Sequence, residues 1–558
     1  MPLLHPSFAT TFTTTALAAL IWASGSAAHF APEAETPKTE AAETAAPSAE
    51  GLEAEAEAAA PAPAEPAAKV ESAPAAKPAD AEANAVEAVE PAAAVQAPKA
   101  EPIKISRPGA AKPADLMIVG AQTVTMDEDK RVLENGTVVV KGDEIIAVGG
   151  PDLAESYAAD RTIYADGDIL MPGMINLHNH IPMVAFRGLG EYSVDNRLFE
   201  VFFPLEKELL NRNLIRVASR HAAIEMALAG VTLFVDMYYH EDEVARGVKD
   251  VGLRAVLGQT VIGFPVVDAP EPFGGLDYAE EFIKAYKDDP LIIPAVAPHA
   301  PYTVTSEVLL ASKALSEKYN VPLVMHLAEF AHEKELAAER HPNLKEDETI
   351  IAYLDRIGFL GENILGAHVI YADANDRKIL KARGVGVSHN PKANSRGGSG
   401  MAPGWEMYQE GVDVGLGTDG PMSSNQMDVL NVMAYAASIA RLRQKSEAPF
   451  TPFELVDMIT ISAARAIDME DTFGSLEVGK QADMVLLDTG TPNMQPNYDV
   501  YATIALSAYP SNVRTTIVDG VVLVDDGALQ SVDLAAHAEE WDAVTGRVAE
   551  FAKTLEKR

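Results

Sequence analysis

Between residues 173 and 470 the chain alternates short apolar runs with longer amphipathic ones, and nothing else restricts its fold as strongly. The apolar runs are "MINLHNH" (174–180), "TLFVDMY" (232–238), "RAVLGQTV" (254–261), "LIIPAVAPH" (291–299), "PLVMHLAE" (322–329), "ILGAHVIY" (364–371), "GVGVSHN" (384–390) and "DVGLGTD" (413–419). Most are separated by helical patterns such as "SEVLLASKALSEKY" (306–319). Strands alternating with helices build parallel sheets with helical crossovers. Eight of them over roughly 300 residues fit an α/β fold of the TIM-like (β/α)8 barrel type. A doubly wound open sheet is the alternative, against which stands the lack of a Gly-rich phosphate turn after the first strand.

The flanks read differently. From Asp115, "LMIVGAQTVTM", "GTVVVKGDEIIAVGG" and "TIYADGDILMPG" are short alternating strands broken by Gly and Asp. The style returns in "QADMVLLDTG" (481–490) and "VRTTIVDGVVLVDDG" (513–527), with Asp519-Gly520 as a hairpin turn. One small composite β-sandwich domain, built from 115–172 and 474–530, is therefore expected around a barrel at 173–473. A C-terminal helix is expected over 531–558.

In a barrel of this kind the chemistry sits at the C-terminal ends of the strands. His178 and His180 end the first run, and as i and i+2 of a strand they share a face. His299 ends the fourth and His326 the fifth, with Glu329 three residues on. His368 lies late in the sixth, His389 ends the seventh and Asp419 the eighth. Six of the chain's 13 histidines thus fall on one rim, beside two carboxylates. Packing does not explain that clustering; a metal site does.

Composition narrows the ion. The chain has no cysteine, so ligands must be imidazole and carboxylate, which suits Zn²⁺, with Fe²⁺ or Mn²⁺ as alternatives. Three His and one Asp would leave a position for water, whose pKa a divalent metal brings to ~7, and such a site implies hydrolysis. The formal charge of −38 repels nucleic acid and anionic lipid heads, which leaves a small molecule as the expected partner. A homo-oligomer is compatible with the chain.

The motifs "MPGMINLHNH", "HLAE", "GAHVIY", "SHNPKAN", "GLGTDG" and "GSLEVGKQADMVLLD", in this order, resemble the amidohydrolase superfamily. The likeness runs from about residue 115 to 530 and is nearest to the S-adenosylhomocysteine/methylthioadenosine deaminase and triazine hydrolase branch. It includes "FRGLG" (186–190), "FFPLEKEL" (202–209), "FVDMYYHEDEV" (234–244) and "APHAPYTV" (297–304). The resemblance implies His178, His180, His326 and Asp419 as ligands of one metal. It also implies Glu329 as proton shuttle, His368 as the residue that orients water or substrate, and Asp419 as the acceptor of the water's proton. A deaminating hydrolase needs a carboxyl on each side of the reacting carbon, which agrees. The fourth run has no Lys, so the carbamylated lysine of two-metal relatives has no counterpart.

For substrate contacts the resemblance implies Glu206, at the position that binds ribose hydroxyls, His299 and Glu329. Two departures bear on the substrate. The arginines expected after the third strand are missing from residues 258–278, and Leu198 and Phe199 stand where a Trp is usual. A substrate carboxylate then lacks a partner, so a neutral, purine-like nitrogen heterocycle is expected, losing ammonia on hydrolysis. Hydrolysis of another C–N or a C–halogen bond is the alternative. A non-catalytic binding protein is a third reading, opposed by the complete set of ligands and shuttle.

Lesser candidates have plainer readings. His389 is expected to hydrogen-bond to the metal-binding side chains, Arg187 to pair with a carboxylate, and "GGSG" (397–400) to form a loop over the pocket tied down by Asn394. Phe199, Phe202 and Phe203 are expected in the core. His221, His240, His332 and His341 are expected to be packed or solvated.

Upstream, "ALAALIWA" (16–23) followed by "SGSAA" reads as an export signal ending at Ala28, although no Lys or Arg precedes the apolar stretch. A periplasmic or secreted location is expected, with an uncleaved anchor as the alternative. Residues 29–114 read as an acidic Ala/Pro/Glu linker: 31–101 carries fifteen acidic and four basic residues and almost no large apolar side chain, the composition of a disordered tether.

Overall fold

The computed structural model describes residues 111–191 and 197–555. The export signal and nearly all of the acidic tether lie outside the described residues. The first strand opens at Lys112, inside the stretch read as tether.

Five strands precede the barrel: β1 (Lys112–Val124), β2 (Val132–Lys141), β3 (Glu144–Gly149), β4 (Tyr157–Tyr164) and β5 (Ile169–Pro172). The barrel strands are β6 (Met174–Asn179), β7 (Val231–Tyr238), β8 (Arg254–Val261), β9 (Ile292–Pro298), β10 (Leu323–Leu327), β11 (Ile364–His368), β12 (Gly386–His389) and β13 (Val414–Leu416). Four short strands follow: β14 (Met484–Leu487), β15 (Val513–Val518), β16 (Val521–Asp525) and β17 (Ala528–Leu529). All eight expected barrel strands form, and they lie side by side in chain order, parallel throughout. Every residue of β7 and β8 is buried, as strands covered by helices outside and packed inside must be. Leu233, Val235 and Met237 of β7 alternate inward to meet Ile175, Leu177, Val256, Ala295, Val324 and Leu365 in the barrel core.

The barrel closes between β13 and β6 without a regular ladder. Asn176 exchanges two hydrogen bonds with Thr418, donating from Nδ2 to Oγ1 at 2.8 Å and accepting the backbone N–H at 3.0 Å. The Asp419 N–H donates to the His178 carbonyl at 2.9 Å. This seam brings the end of the eighth strand against the end of the first.

The flanking domain joins both ends of the described chain, as expected. Its nine strands among the described residues hydrogen-bond as one sheet, and β5 meets β14 antiparallel where the halves join. Leu116, Ile118 and Val138 share a core there with Met484, Leu486 and Ile517. Val518 and Val521 pair across Asp519-Gly520, both at positive φ (56° and 72°), the geometry of a two-residue hairpin. A helix over Leu534–Leu555 ends the described chain. Among the described residues no helix is long and apolar enough to cross a membrane.

Candidate active site

The strand ends converge. The ring centroid of His178 lies 4.8 Å from that of His180, 5.0 Å from His326 and 5.2 Å from His368. Asp419 Oδ1 stands 3.6 Å from His178 Nε2 and 3.5 Å from His180 Nε2. Two groups, His178/His180/His326 and His178/His368/Asp419, offer ligand atoms within 4.8 Å of one another.

Neighbouring groups decide which ring nitrogens are free. His180 Nδ1 donates to the Met237 carbonyl at 2.7 Å, and His326 Nδ1 to the His299 carbonyl at 2.9 Å. Each ring therefore carries its lone pair on Nε2. Those two Nε2 atoms face each other at 3.2 Å. Two acceptors at that distance repel unless a cation lies beside both, and nitrogens bound to one tetrahedral Zn²⁺ stand about 3.3 Å apart. His178 sharpens the point: it is fully buried and neither ring nitrogen has a hydrogen-bond partner. An orphaned imidazole in a dry site fits a metal ligand. Burial, then neighbouring histidines, holds His178 and His326 well below the ordinary imidazole range, and burial lowers His180, so all three are neutral as ligation requires.

Beside them His368 Nδ1 donates to Asn394 Oδ1 at 2.8 Å, and its Nε2 faces Glu329 Oε1 at 3.9 Å. Burial opposes its charge, but Glu329 and Asp419 outweigh burial and raise it. Burial, then the Asp419 charge, raises the Glu329 carboxyl. The three residues after Leu327 are held by a third carboxylate. Glu333 accepts the N–H groups of Ala328 (3.1 Å), Glu329 (2.6 Å) and Phe330 (3.4 Å).

The site opens on a cavity of about 870 Å³ that His180, His326, Glu329, His368 and Asp419 help to line, together with Glu206 and His299. Glu206 accepts the Tyr238 hydroxyl at 2.7 Å, and burial pushes its carboxyl up to about 7. His299 hands its Nδ1 to Thr303 Oγ1 at 3.0 Å, and burial pushes it down to about 3. The "GGSG" loop lines the cavity as expected, through Gly397, Gly398 and Ser399. Arg187 pairs with Glu225 at 2.5 Å, as expected.

Several expectations need correction. Asn394 does more than tie the loop through its carbonyl to the Ser399 N–H (2.9 Å): its side chain orients His368. His389 packs against Gly404, where a Cβ would approach its ring to 2.7 Å, and its Nδ1 makes no hydrogen bond to the site. Phe202 is in the core, but Phe199 is half exposed and forms with Phe203 an aromatic wall of the cavity, ring centroids 5.5 Å apart. His332 reaches the cavity lining, whereas His221 stacks on Trp541 and His341 accepts or donates at Ser306 and Pro301.

The cavity also contains arginines that sequence reasoning placed nowhere. Arg197 and Arg396, from the loops after the first and seventh barrel strands, both line it. They share one carboxylate: Glu191 lies 3.1 Å from Arg197 and also pairs with Arg396. Arg197 also donates to the Met422 carbonyl, and Arg396 to the Ser423 carbonyl. Only the fold shows that partnership, since Glu191 and Arg396 are far apart in the chain.

Known proteins place the chain in a family. The model of the amidohydrolase family matches residues 169–523. A 5-methylthioadenosine/S-adenosylhomocysteine deaminase of Thermodesulfovibrio yellowstonii is 38% identical over 422 residues, 75% of this chain and 95% of that protein. A 5'-deoxyadenosine deaminase of Methanosarcina mazei is 34% identical, over 76% of this chain and 96% of that one. Among solved structures, an adenosine deaminase from Xanthomonas campestris with bound zinc matches at a TM-score of 0.76 and 28% identity, covering 79% of this chain and all of that one. A zinc-bound atrazine chlorohydrolase of Arthrobacter aurescens, at 22% identity and a TM-score of 0.71, shares the fold. The chain belongs to the amidohydrolase family.

Proposed function

We propose that this chain is a metal-dependent deaminase of a neutral, purine-like nucleoside, acting with a single divalent ion held by His178, His180, His326 and Asp419. The facing Nε2 atoms of His180 and His326, with the orphaned His178 ring beside them, carry this reading. Zn²⁺ is favoured by the imidazole-rich donor set and by the zinc in the related adenosine deaminase. When bound, the ion supplies an activated water.

The chain's own residues supply the rest. Water adds to the ring carbon that bears the amino group, and Asp419 takes the water's proton. Glu329, whose carboxyl burial raises, gives a proton in its acid form to the adjacent ring nitrogen. His368, fixed by Asn394, orients the water and the carbon under attack. Asp419 then passes its proton to the departing amine, the C–N bond breaks and ammonia leaves, and the added hydroxyl returns its proton to the Glu329 carboxylate as the ring carbon becomes a carbonyl. The Glu206–Tyr238 pair and His299 hold the sugar. A neutral substrate is favoured because both cavity arginines already share Glu191 and backbone carbonyls. The apolar stretch at 16–23 supports export to the periplasm or beyond.

Ammonia release from a panel of adenine nucleosides, with metal content measured alongside, tests the proposal. The expected result is about one equivalent of metal, lost in His178→Ala, and deamination abolished in Glu329→Gln with the metal retained. A metal-free protein with full turnover, or a Glu329→Gln variant that turns over normally, would overturn it.

A further inference from the structure

Glu333 never reaches the cavity, yet everything about its placement bears on Glu329. It opens the short helix Glu333–Ala338 and is 2% exposed. Its two carboxylate oxygens take three consecutive backbone N–H groups: Oε1 that of Ala328, Oε2 those of Glu329 and Phe330. Three successive N–H groups turned onto one anion form a nest. The turn demands an unusual backbone, and Ala328 adopts φ +50°. A non-glycine residue is held there only when its surroundings over-determine it.

The opposite edge of the same segment is held too. The Ala328 carbonyl accepts the N–H groups of Ile370 (2.9 Å) and Tyr371 (3.0 Å), just beyond the strand that delivers His368. The peptide leading into Glu329 is thus clamped between Glu333 and the end of β11. The clamp leaves the Glu329 carboxyl facing His368 across 3.9 Å. Among the described residues, Glu333 is the one hydrogen-bond acceptor of the Glu329 backbone N–H.

We infer that Glu333 is a positioning residue for catalysis: its carboxylate sets the backbone geometry that aims Glu329 at the reacting ring nitrogen. The inference rests on Glu329 being the proton shuttle. Glu333 hydrogen-bonds to none of the metal-binding side chains and holds the cavity wall only through the backbone N–H groups of Glu329 and Phe330, so removing the clamp leaves the metal ligands and the rest of the wall in place. Its loss is felt in the proton transfer and not in substrate binding.

The test compares Glu333→Ala, Glu333→Gln and Glu329→Gln in the metal-loaded full chain, reading kcat, KM and metal content. Misplacing a catalytic group by about 1 Å costs about a hundredfold. Glu333→Ala is expected to lose about that much in kcat, with KM within about threefold and metal retained. Glu333→Gln keeps one oxygen for the N–H groups and turns an amide against the rest, so it should lie between, near a tenfold loss. If Glu329→Gln is inactive while both Glu333 variants keep kcat within about threefold of the parent, this inference alone fails. It fails equally if the Glu333 variants lose metal or raise KM as much as they lower kcat. Normal turnover in Glu329→Gln would instead remove the shuttle reading beneath it.

Discussion

Glu206 is a carboxyl that the fold keeps dry, and its protonation should be visible in stability. Burial pushes it from an ordinary 4.5 to about 7, against the Tyr238 hydroxyl, which favours the charged form. Between those values the folded chain binds more protons than the unfolded one, so stability falls as pH rises from about 4.5 to about 7. The full term is roughly 3 kcal/mol. Glu206→Gln cannot ionise and still accepts from Tyr238. Chemical denaturation should show it equal to the parent near pH 5 and roughly 1–3 kcal/mol more stable near pH 8; an unchanged pH dependence would refute the buried, neutral state. At this scale the sequence was legible wherever a residue type and a strand end coincide, as at His178, His326 and Asp419. It was silent where function depends on a distant partner. Asn394 beneath His368 depends on the short helix that follows the neighbouring strand, and Glu191 between Arg197 and Arg396 joins segments that only barrel closure brings together.

The elements were legible because barrel strands are apolar runs, yet several ended earlier than their apolar runs do. "ILGAHVIY" reads as strand to Tyr371, but His368 and Val369 turn to φ +74° and +45° and the ladder stops. "DVGLGTD" keeps only Val414–Leu416, because Gly417 is pressed so close to Asn390, Ser388 and the His178 N–H that a Cβ would meet atoms at 2.3 to 2.9 Å. Asp419 then turns out at φ +62°. Strands thus break where their chemistry begins, a departure that apolar patterning does not encode. The C-terminal helix makes its own prediction. It docks on the helix Arg212–Leu228 through His221, whose ring lies flat on Trp541 at 3.8 Å and meets His537 at 3.2 Å. Burial, then His537 and Arg187, pushes His221 down to about 4; burial, then Arg220, lowers His537, which Glu540 partly offsets. The docked state binds fewer protons, so docking weakens as pH falls from about 6.5 towards 4. Hydrogen exchange in 534–555, corrected for intrinsic rate, should quicken from pH 7 to pH 5. His221→Phe should keep the stack and lose most of that dependence, leaving the share that His537 carries. Exchange insensitive to pH in the parent would sink the idea.

For the whole molecule, the two-part sheet domain was readable from the repeated style of its strands, but the joint between sheet and barrel was not. That joint centres on Arg254, the first residue of β8, at the barrel end opposite the cavity. Its guanidinium lies 3.1 Å from Asp483 and 2.7 Å from Asp519, donates to the Pro290 carbonyl at 2.5 Å and covers the Phe473 ring at 4.8 Å. Asp483 sits before β14 and Asp519 in the hairpin turn, so a single side chain, 3% exposed, ties both to the barrel. A buried pair of this kind adds little net stability over an apolar substitute, because dehydrating the charges offsets their attraction. Removing only the cation is different: it strands a buried carboxylate, at a cost of about 3–5 kcal/mol. Arg254→Ala should therefore lower the free energy of unfolding by about that much. Arg254→Lys should recover only part, since a point charge cannot reproduce the fork that reaches two carboxylates and a carbonyl. The catalytic end should not notice, because the joint lies across the barrel from it. Folded Arg254→Ala protein should keep the parent's kcat and metal content while melting earlier. A loss of turnover in step with the loss of stability would mean that the sheet domain shapes the active site, and that the two ends of the barrel are coupled.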